Sequence, residues 1–525
     1  MADANISDFP SIADLLRSRA ASGPDLIAIE CEDRRTTRAL LDQRANQVAH
    51  GLKEILMRPG DRAAVLDSNS DTFFELLFGA AKANRVLVPL NNRLLPSEVA
   101  QVLDDSAAEL LFVGAEFLQV AAELQRSCPT VRHIVAIGGG DHDWEDYVAW
   151  RNRQPASEPG VAVQRSDVIL LCYTSGTTGM PKGAQLTHEN LLANAPLLQQ
   201  EYGSSPETDV GLVSMPLFHV SGSLWALSCF YANVRIVILR RITPTDLMAT
   251  IAGRRVTKAL LVPVVIQMLL DAPGRDAYDM SSLDLVLYGA SPISVALLRR
   301  AMATFTCRFG QVYGLTETCG AITYLAPEDH DVDNPRRLQS CGKPLGHVEI
   351  RIVDERGGEI RDAGRIGEIV CRSAQNMKGY WNNPAETASM LRDGWLHTGD
   401  MGFFDEDGYL YIHDRLKDMI ISGGENIYPA EVERALAGHP AVVDVAVIGV
   451  PDDQWGEVPK ALVVKRPGQD ASAQELIEFC RGRIAGFKIP RSVEFVAVLK
   501  RNPAGKLLKH ELRAPYWIGR ARKVN

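Results

Sequence analysis

Residues 173 to 183 read Tyr-Thr-Ser-Gly-Thr-Thr-Gly-Met-Pro-Lys-Gly, and this stretch says more about fold and chemistry than any other in the chain. The apolar run Val168–Cys172 leads into it and is typical of a buried strand. The Ser, Thr and Gly residues predict a tight turn whose hydroxyl and backbone N–H groups suit a polyphosphate, with Lys182 adding a positive charge. Because Lys182 is followed by Gly183 and not by Ser or Thr, the stretch is not a P-loop. Thr187 is expected to cap the helix that follows.

Length and composition indicate a globular protein of at least two domains. The chain has 525 residues, of which 46% are apolar and 23% are charged. Its net charge of −9 argues against a general nucleic-acid-binding protein. No apolar run is long enough to span a membrane, and the N-terminus lacks the features of a signal peptide. The nine cysteines are scattered without a C-x-x-C pair, which is typical of reduced thiols, so we expect a cytoplasmic protein.

The spacing of apolar runs predicts an α/β fold. Up to about residue 410, short Val-, Ile- and Leu-rich runs alternate with helical patterns, which favours largely parallel sheets. These runs are Leu110–Val113, Val210–Val213, Val234–Leu239, Ala259–Val262 and Leu283–Tyr288. Beyond about residue 350 the pattern changes to strands joined by Gly- and Asp-rich turns, which indicates a small antiparallel sheet or barrel. Its strands are expected at Glu349–Val353, Gly367–Arg372 and Tyr409–His413.

The last hundred or so residues predict a separate small α+β domain. We place the boundary near Lys417, which divides the chain into a large domain, 1–416, and a small domain, 417–525. Within the small domain, a helix is expected to begin at Pro429, and a second to begin at the capping box of Ser472 and end near Gly486. Its strands are expected at Val442–Val450 and Val493–Val498.

Seven further motifs accompany the Thr/Ser/Gly loop. They are Met215-Pro-Leu-Phe-His219, Tyr288-Gly-Ala-Ser291, Gln311-Val-Tyr-Gly-Leu-Thr-Glu317, Gly394-Trp-Leu-His-Thr-Gly-Asp400, Asp414-Arg-Leu-Lys-Asp418, Ile421-Ser-Gly-Gly-Glu-Asn-Ile-Tyr-Pro429 and Asn502-Pro-Ala-Gly-Lys506. In this order, the set resembles the adenylate-forming superfamily of acyl-CoA synthetases, luciferases and peptide-synthetase adenylation domains. The resemblance covers nearly the whole chain, and although each motif alone is weak, the ordered set is highly specific.

The resemblance implies a two-step reaction. ATP and a carboxylate would form an acyl-adenylate and pyrophosphate, after which a thiol would displace AMP. A carboxylate is a poor electrophile until its oxygen carries a good leaving group, so the tasks of such a protein are positioning and charge stabilisation at phosphorus. The implied cofactors are ATP, Mg²⁺ and coenzyme A.

The resemblance also implies which residues bind the nucleotide. Thr316 would contact the α-phosphate, Glu317 would help to hold Mg²⁺, Asp400 would accept the ribose hydroxyls, and Arg415 would assist at the ribose and phosphate. Tyr313 would stack on the adenine as a flat, apolar partner. The β- and γ-phosphates would be held by Thr174, Ser175, Gly176, Thr177, Thr178, Gly179 and Lys182, and the adenine slot would be lined by Gly289, Ala290 and Ser291.

Two half-reactions would share one site through a hinge. The ammonium of Lys506 would bridge the substrate carboxylate and the α-phosphate in the first step. Lys417 matches the position about which the small domain rotates in the family. The rotation would withdraw Lys506 and present Ser422, Gly423 and Gly424, which would leave room for the pantetheine arm of CoA.

The side chains that follow His219 indicate the class of acid substrate. The stretch Phe218–Trp225 carries neither an Asp to pair with an α-ammonium nor an Arg for a second carboxylate, which argues against amino acids and dicarboxylates. Val220, Leu224, Trp225, Val264, Val265 and Ala321 predict an apolar pocket for a fatty, aryl or alicyclic acid, in which Gly222 and Ser223 would leave room. His219 lies where the family joins its acyl and thiol channels, so it either acts in the second step or is structural.

Three functions remain open at this level. The first is a carboxylic acid–CoA ligase, the second hands its adenylate to a carrier-protein thiol, and the third is a luciferase-like or non-catalytic relative. Retention of Lys506, Glu317 and Asp400 disfavours a non-catalytic protein, and no carrier domain follows in this chain, which favours free CoA. A homodimer is expected only by analogy with the family.

Overall fold

The computed structural model describes most of the chain. The described residues are 9–139, 142–175, 181–290, 293, 295–334, 336–354, 356–415, 420–427, 429–500 and 509–518. They form four β-sheets covered by helices, and the predicted α/β class is confirmed. The expected boundary near Lys417 falls in 416–419, outside the described residues, so the division at that position stays a prediction.

Two large sheets carry most of the first 380 residues, and their central strands are parallel. The nine-stranded sheet contains, in spatial order, Lys343–Pro344, Gly320–Leu325, Arg308–Leu315, Leu285–Gly289, Lys258–Leu261, Val210–Val213, Arg235–Ile238, Ile27–Cys31 and Arg34–Thr37. The eight-stranded sheet contains Gly379–Tyr380, Pro181–Thr187, Val168–Ser175, Val86–Pro89, Arg62–Leu66, Leu110–Gly114, His133–Ile137 and Glu145–Asp146.

Two smaller sheets follow. The six-stranded sheet is antiparallel, which confirms the predicted change of pattern, and it contains Glu359–Ile360, Glu349–Val353, Gly367–Arg372, Trp395–Phe404, Leu391–Arg392 and Leu410–Arg415. The five-stranded sheet belongs to the small C-terminal part and contains Glu425–Ile427, Ile420–Ser422, Gly456–Lys465, Val442–Asp452 and Ser492–Phe495. It has its own core of buried aliphatic side chains.

Buried clusters that include helical residues lie on both faces of the two large sheets and on both faces of the five-stranded sheet. The helices are Ile12–Ser22, Arg38–Ile55, Thr72–Ala83, Pro96–Ser106, Leu118–Ser127, Tyr147–Asn152, His188–Asn194, Leu197–Gln200, Val220–Tyr231, Pro244–Arg254, Pro263–Asp271, Val295–Thr304, Pro384–Met390, Pro429–Ala437, Ala473–Cys480 and Lys509–Arg513. None of the helices among the described residues combines the length and the apolar character that crossing a bilayer requires.

Local signals in the sequence place the three predicted helix starts, after Thr187, at Pro429 and after Ser472, correctly. The Thr187 hydroxyl accepts the backbone N–H of Asn190 at 3.2 Å and caps its helix as expected. One prediction is wrong. The helix that begins after Ser472 ends at Cys480 and not near Gly486, because the chain turns through Gly482, whose φ of +72° is outside the helical region.

The parallel strands bring the chemically distinctive loops to one edge. The strands Leu285–Gly289 and Arg308–Leu315 are neighbours in parallel register, and each is followed directly by a predicted site residue, Ala290 or Thr316. Ligands of open α/β sheets bind beyond the carboxyl ends of parallel strands, since the loops converge there. The topology therefore predicts the site at this edge.

Candidate active site

A cavity of about 380 Å³ lies beyond the carboxyl ends of these strands. Its polar half is lined by Thr174, Lys182, Ala290, Thr316, Glu317, Glu368, Tyr380, Glu386, Arg392, His397 and Asp400. Its apolar half is lined by Leu197, Val220, Leu224, Trp225, Leu260, Leu287, Val312 and Ala321. The volume is that of a small-molecule site, and the two halves suit a polar and an apolar ligand side by side.

The strands on either side of the Thr/Ser/Gly loop bring Thr174 and Lys182 together. The two residues are cross-strand partners in the antiparallel pair Val168–Ser175 and Pro181–Thr187. The Lys182 ammonium is buried and donates to the Glu386 carboxylate, which the sequence motifs did not single out. Of the predicted phosphate-binding residues, Gly176, Thr177, Thr178 and Gly179 lie outside the described residues, as does the Ser175 side chain.

Two tyrosine hydroxyls orient the carboxylates of the polar half. Tyr380 donates to Oε1 of Glu317 at 2.7 Å, and Tyr313 donates to Oδ2 of Asp400 at 2.7 Å. Burial and the Asp400 carboxylate raise the pKa of Tyr313 well above its ordinary value, so this phenol keeps its proton. The Tyr313 ring packs in the core, and its predicted stacking on adenine stays a prediction.

Backbone conformation shapes the remaining polar positions. A Cβ at Gly289 would lie 2.3 Å from the carbonyl oxygen of Val312, so only glycine fits this close strand contact. Ala290 follows with a φ of +61°, and it lines the cavity, whereas Ser291 lies outside the described residues. The strand register pairs Asp400 directly with Arg415, whose backbone alone is described.

The apolar half differs in part from the predicted pocket. Val264 and Val265 lie in the helix Pro263–Asp271 and pack in a core cluster, so their prediction as pocket residues is wrong. Gly222 is needed for a different reason than room for the acid, since a Cβ there would lie 2.2 Å from the carbonyl oxygen of Pro216. The structure adds three polar lining residues that no motif indicated, Asn194, Tyr202 and Ser228.

His219 lies where the first cavity meets a second one of about 80 Å³. Thr174, Val220 and Thr316 also line both cavities. The His219 side chain is one-third exposed, and because that surface faces the cavities, burial within the protein still lowers the pKa of the imidazole. Nε2 lies 4.0 Å from a carboxylate oxygen of Glu425.

The second cavity is formed by residues on both sides of 416–419. The residues before that segment are called the large part here, and those after it the small part. The small part contributes Glu425, Glu431, Phe487 and Lys488, whereas the large part contributes Pro89, Leu90, Leu94, Glu98, Tyr173 and Phe218. Arg93 of the large part donates to Glu425 across the boundary.

The Ser422–Gly424 turn packs against the large part. Gly424 lines the first cavity, where a Cβ would lie 3.2 Å from Cγ1 of Val262. Gly423 packs on the Trp455 ring, and Ser422 pairs with Gly456 in the small sheet. Lys417 and Lys506 lie outside the described residues.

The donor set fits a metal that arrives with a nucleotide. Among the described residues, no three His, Cys, Asp or Glu side chains are grouped as a metal site. Glu317 offers a carboxylate oxygen in the polar half, and phosphate oxygens would complete the shell of a hard cation such as Mg²⁺.

A single cavity whose lining is charged and polar in part and apolar in part suits a nucleotide bound beside a small organic acid. The comparison with family models agrees: the "AMP-binding enzyme" model matches residues 16–381, and the "AMP-binding enzyme C-terminal domain" model matches residues 431–506. The chain belongs to this family, the adenylate-forming superfamily, and is by class an AMP-forming acid–thiol ligase. The expected cofactors ATP, Mg²⁺ and coenzyme A are confirmed with the class.

Characterised relatives cover nearly the whole chain. The chain is 40% identical over 506 residues to a fatty acid–[acyl-carrier-protein] ligase, ScoC, of Streptomyces coeruleorubidus, with 96% of each protein covered. It is 38% identical over 498 residues to a feruloyl-CoA synthase of Amycolatopsis, with 94% of this chain and 97% of that protein covered.

One relative has been solved in two states. For o-succinylbenzoate CoA synthetase (MenE) of Bacillus subtilis, the structure of a double mutant with a CoA product analogue gives a TM-score of 0.82 at 32% identity, covering 95% of this chain and 97% of that one. The structure with the acyl-adenylate gives a TM-score of 0.68 at 32% identity, covering 97% of this chain and 99% of that one.

Proposed function

We propose that the protein is an ATP-dependent carboxylic acid–CoA ligase for a fatty, aryl or alicyclic monocarboxylic acid. The observation that carries this proposal is the continuity of the two halves of the first cavity. Glu317 and Asp400 stand in the polar half, Leu224 and Trp225 in the apolar half, and His219 lies where the second cavity opens.

The proposed chemistry has two steps. A carboxylate oxygen of the acid attacks the α-phosphorus of ATP, and the bond to pyrophosphate breaks as the acyl-adenylate forms. Thr316, Lys182 and Lys506 stabilise the negative charge on the phosphates, and Asp400 holds the ribose. The thiol sulfur then attacks the acyl carbon as its proton is lost, and AMP leaves with the electron pair of the C–O bond.

The way in which the small part packs against the large part suits the second half-reaction, in which the thiol attacks the adenylate. The Gly424 turn lines the first cavity, and residues of both parts enclose the second. At the same 32% identity, the MenE structure with a CoA product analogue gives the higher TM-score, 0.82 against 0.68 for the one with the acyl-adenylate, which agrees with this interpretation.

The polar groups of the apolar half bear on the choice of acid. Asn194 and Tyr202 are buried and line the cavity, yet their side chains make no hydrogen bond with any residue that the structure describes. Because both side chains line the cavity, an acid with an oxygen substituent can form hydrogen bonds with them that a plain hydrocarbon chain cannot.

The test is pyrophosphate release with ATP and Mg²⁺ over fatty, aryl and alicyclic acids, each with and without an oxygen substituent. Every acid is run with CoA, with a pantetheinylated carrier protein and with neither. Acyl-CoA as product would support the proposal. An adenylate that ignores CoA and acylates the carrier protein would instead support the second candidate, which the similarity to ScoC favours.

His219→Ala is expected to slow the second half-reaction. The lowered pKa keeps the imidazole neutral near pH 7, so it can accept a proton from a thiol at the junction of the two cavities. General-base catalysis contributes about a hundredfold or more to a rate. We therefore expect thioester formation from supplied adenylate to slow by about a hundredfold. Single-turnover rates of both half-reactions check this. Equal losses in both would contradict the assignment.

A further inference from the structure

A buried ion cluster joins the two parts of the chain at the second cavity. The Lys488 ammonium lies 2.8 Å from Oε1 of Glu98 and 2.6 Å from Oε1 of Glu431. The side chains of Lys488, Glu98 and Glu431 are 4%, 10% and 14% exposed. Because these groups are removed from bulk water, their attraction is screened far less than that of a surface ion pair.

The cluster balances its charge. Burial opposes ionisation of Glu98, but the hydrogen bond from Glu431 and the Lys488 ammonium outweigh it and hold the pKa of Glu98 below its usual value. Burial and the neighbouring Glu98 raise the pKa of Glu431 to about 7. Below that pH the cluster therefore contains one ammonium, one carboxylate and one protonated carboxyl, which leaves no unpaired buried charge.

The three residues do not belong to the same part of the chain. Glu98 lies in the helix Pro96–Ser106 of the large part, whereas Glu431 and Lys488 lie in the small part. Any rotation of the small part would carry Lys488 and Glu431 together and leave Glu98 behind. The contact between Glu98 and Lys488 therefore exists in this arrangement and is lost in a rotated one.

We propose that Glu98 is a positioning residue for the thiol-transfer half-reaction. Through Lys488 it holds the small part in the arrangement that opens the second cavity onto His219. This role rests on the two-step reaction proposed above. Removing the charge would lower the population of this arrangement, and a step that needs the arrangement slows with its population.

Glu98→Gln separates this role from a structural one. The other carboxylate oxygen, Oε2, accepts the backbone N–H of Leu95 at 2.8 Å and caps the helix, and the amide oxygen of Gln can keep that bond. We expect adenylate formation to change by no more than about twofold, and thioester formation from supplied adenylate to fall about tenfold. Asp104 is an exposed carboxylate on the same helix, so Asp104→Asn is the matched control. This control variant should change neither rate.

A double-variant cycle completes the test. Lys488→Met should also slow thioester formation and leave adenylate formation nearly unchanged. The double variant, Glu98→Gln with Lys488→Met, should form thioester no more than about twofold more slowly than the slower single variant, because each substitution removes the same Glu98–Lys488 contact. Multiplied losses, equal slowing of both half-reactions, or no slowing would overturn the role of Glu98. If the wild-type protein formed no adenylate with any acid, the ligase proposal itself would fail, and this role with it.

Discussion

Lys506→Ala is expected to abolish adenylate formation while leaving thioester formation from a supplied adenylate largely intact. Lys506 ends the Asn502-Pro-Ala-Gly-Lys506 motif, and the family resemblance assigns its ammonium to the carboxylate and α-phosphate of the first step. Negative charge grows on those oxygens in the transition state, and the loss of one such stabilising donor costs about 10²–10³-fold in rate. Pyrophosphate release and single-turnover thioester formation measure the two steps separately.

Lys500→Ala is the control for the Lys506 variant. Lys500 is an exposed lysine of the same segment and pairs with Glu511 at 3.2 Å, so its loss removes a positive charge without touching the cavity. Both rates of this variant should remain those of the wild-type protein. Loss of both half-reactions in Lys506→Ala would point to a folding defect and contradict the assignment.

Gly424→Leu is expected to slow thioester formation, whereas Lys506→Ala is expected to stop adenylate formation. Gly424 has a φ of +86° and lines the first cavity, where a Cβ would already lie 3.2 Å from Cγ1 of Val262. A leucine side chain would occupy the space through which a pantetheine arm reaches the adenylate in the proposed second step. Displacing a reacting group by about 1 Å can cost about a hundredfold, and we expect at least that loss in thioester formation. Adenylate formation should change little, since the turn is not needed for it.

Gly468→Leu controls for backbone strain in the Gly424 variant. Gly468 has a similar φ of +78° in the small part, and no atom within 4 Å would contact a Cβ there. Both leucines carry the same cost of a positive φ, but only one faces the cavity. If both variants lost thioester formation equally, strain in the small part and not obstruction of the cavity would be the cause.

Local signals in the sequence located each predicted strand to within a few residues. The alternation of apolar runs and helical patterns anticipated the parallel strands Val210–Val213 and Leu285–Gly289 to within two residues. Such runs are informative because a buried strand is apolar on both faces wherever helices cover its sheet. The helix after Ser472 was predicted too long, because the left-handed glycine that turns the chain beyond its end is a weak signal in sequence.

The sequence predicted part of the lining in each half of the cavity, including Leu224 and Trp225 in the apolar half. Lys182, Glu317 and Asp400 stand in ordered motifs, and the fold brings all three to one cavity. Asn194 and Tyr202 have no motif, since an acid-binding wall depends on which faces of several helices meet, and that follows from packing. The hydrogen bonds of Tyr313 to Asp400 and of Tyr380 to Glu317 also depend on strand packing.

The sequence by itself determined the class of the protein, because phosphate, ribose and metal chemistry demand particular residues at short, ordered spacings. Only the tertiary structure decided how the two parts of the chain meet. Glu98 and Lys488 are 390 positions apart, and neither stands in a motif, yet they form a buried contact. Local spacing carries no information about such a contact, because its energy arises from burial and from the arrangement of separate folded parts.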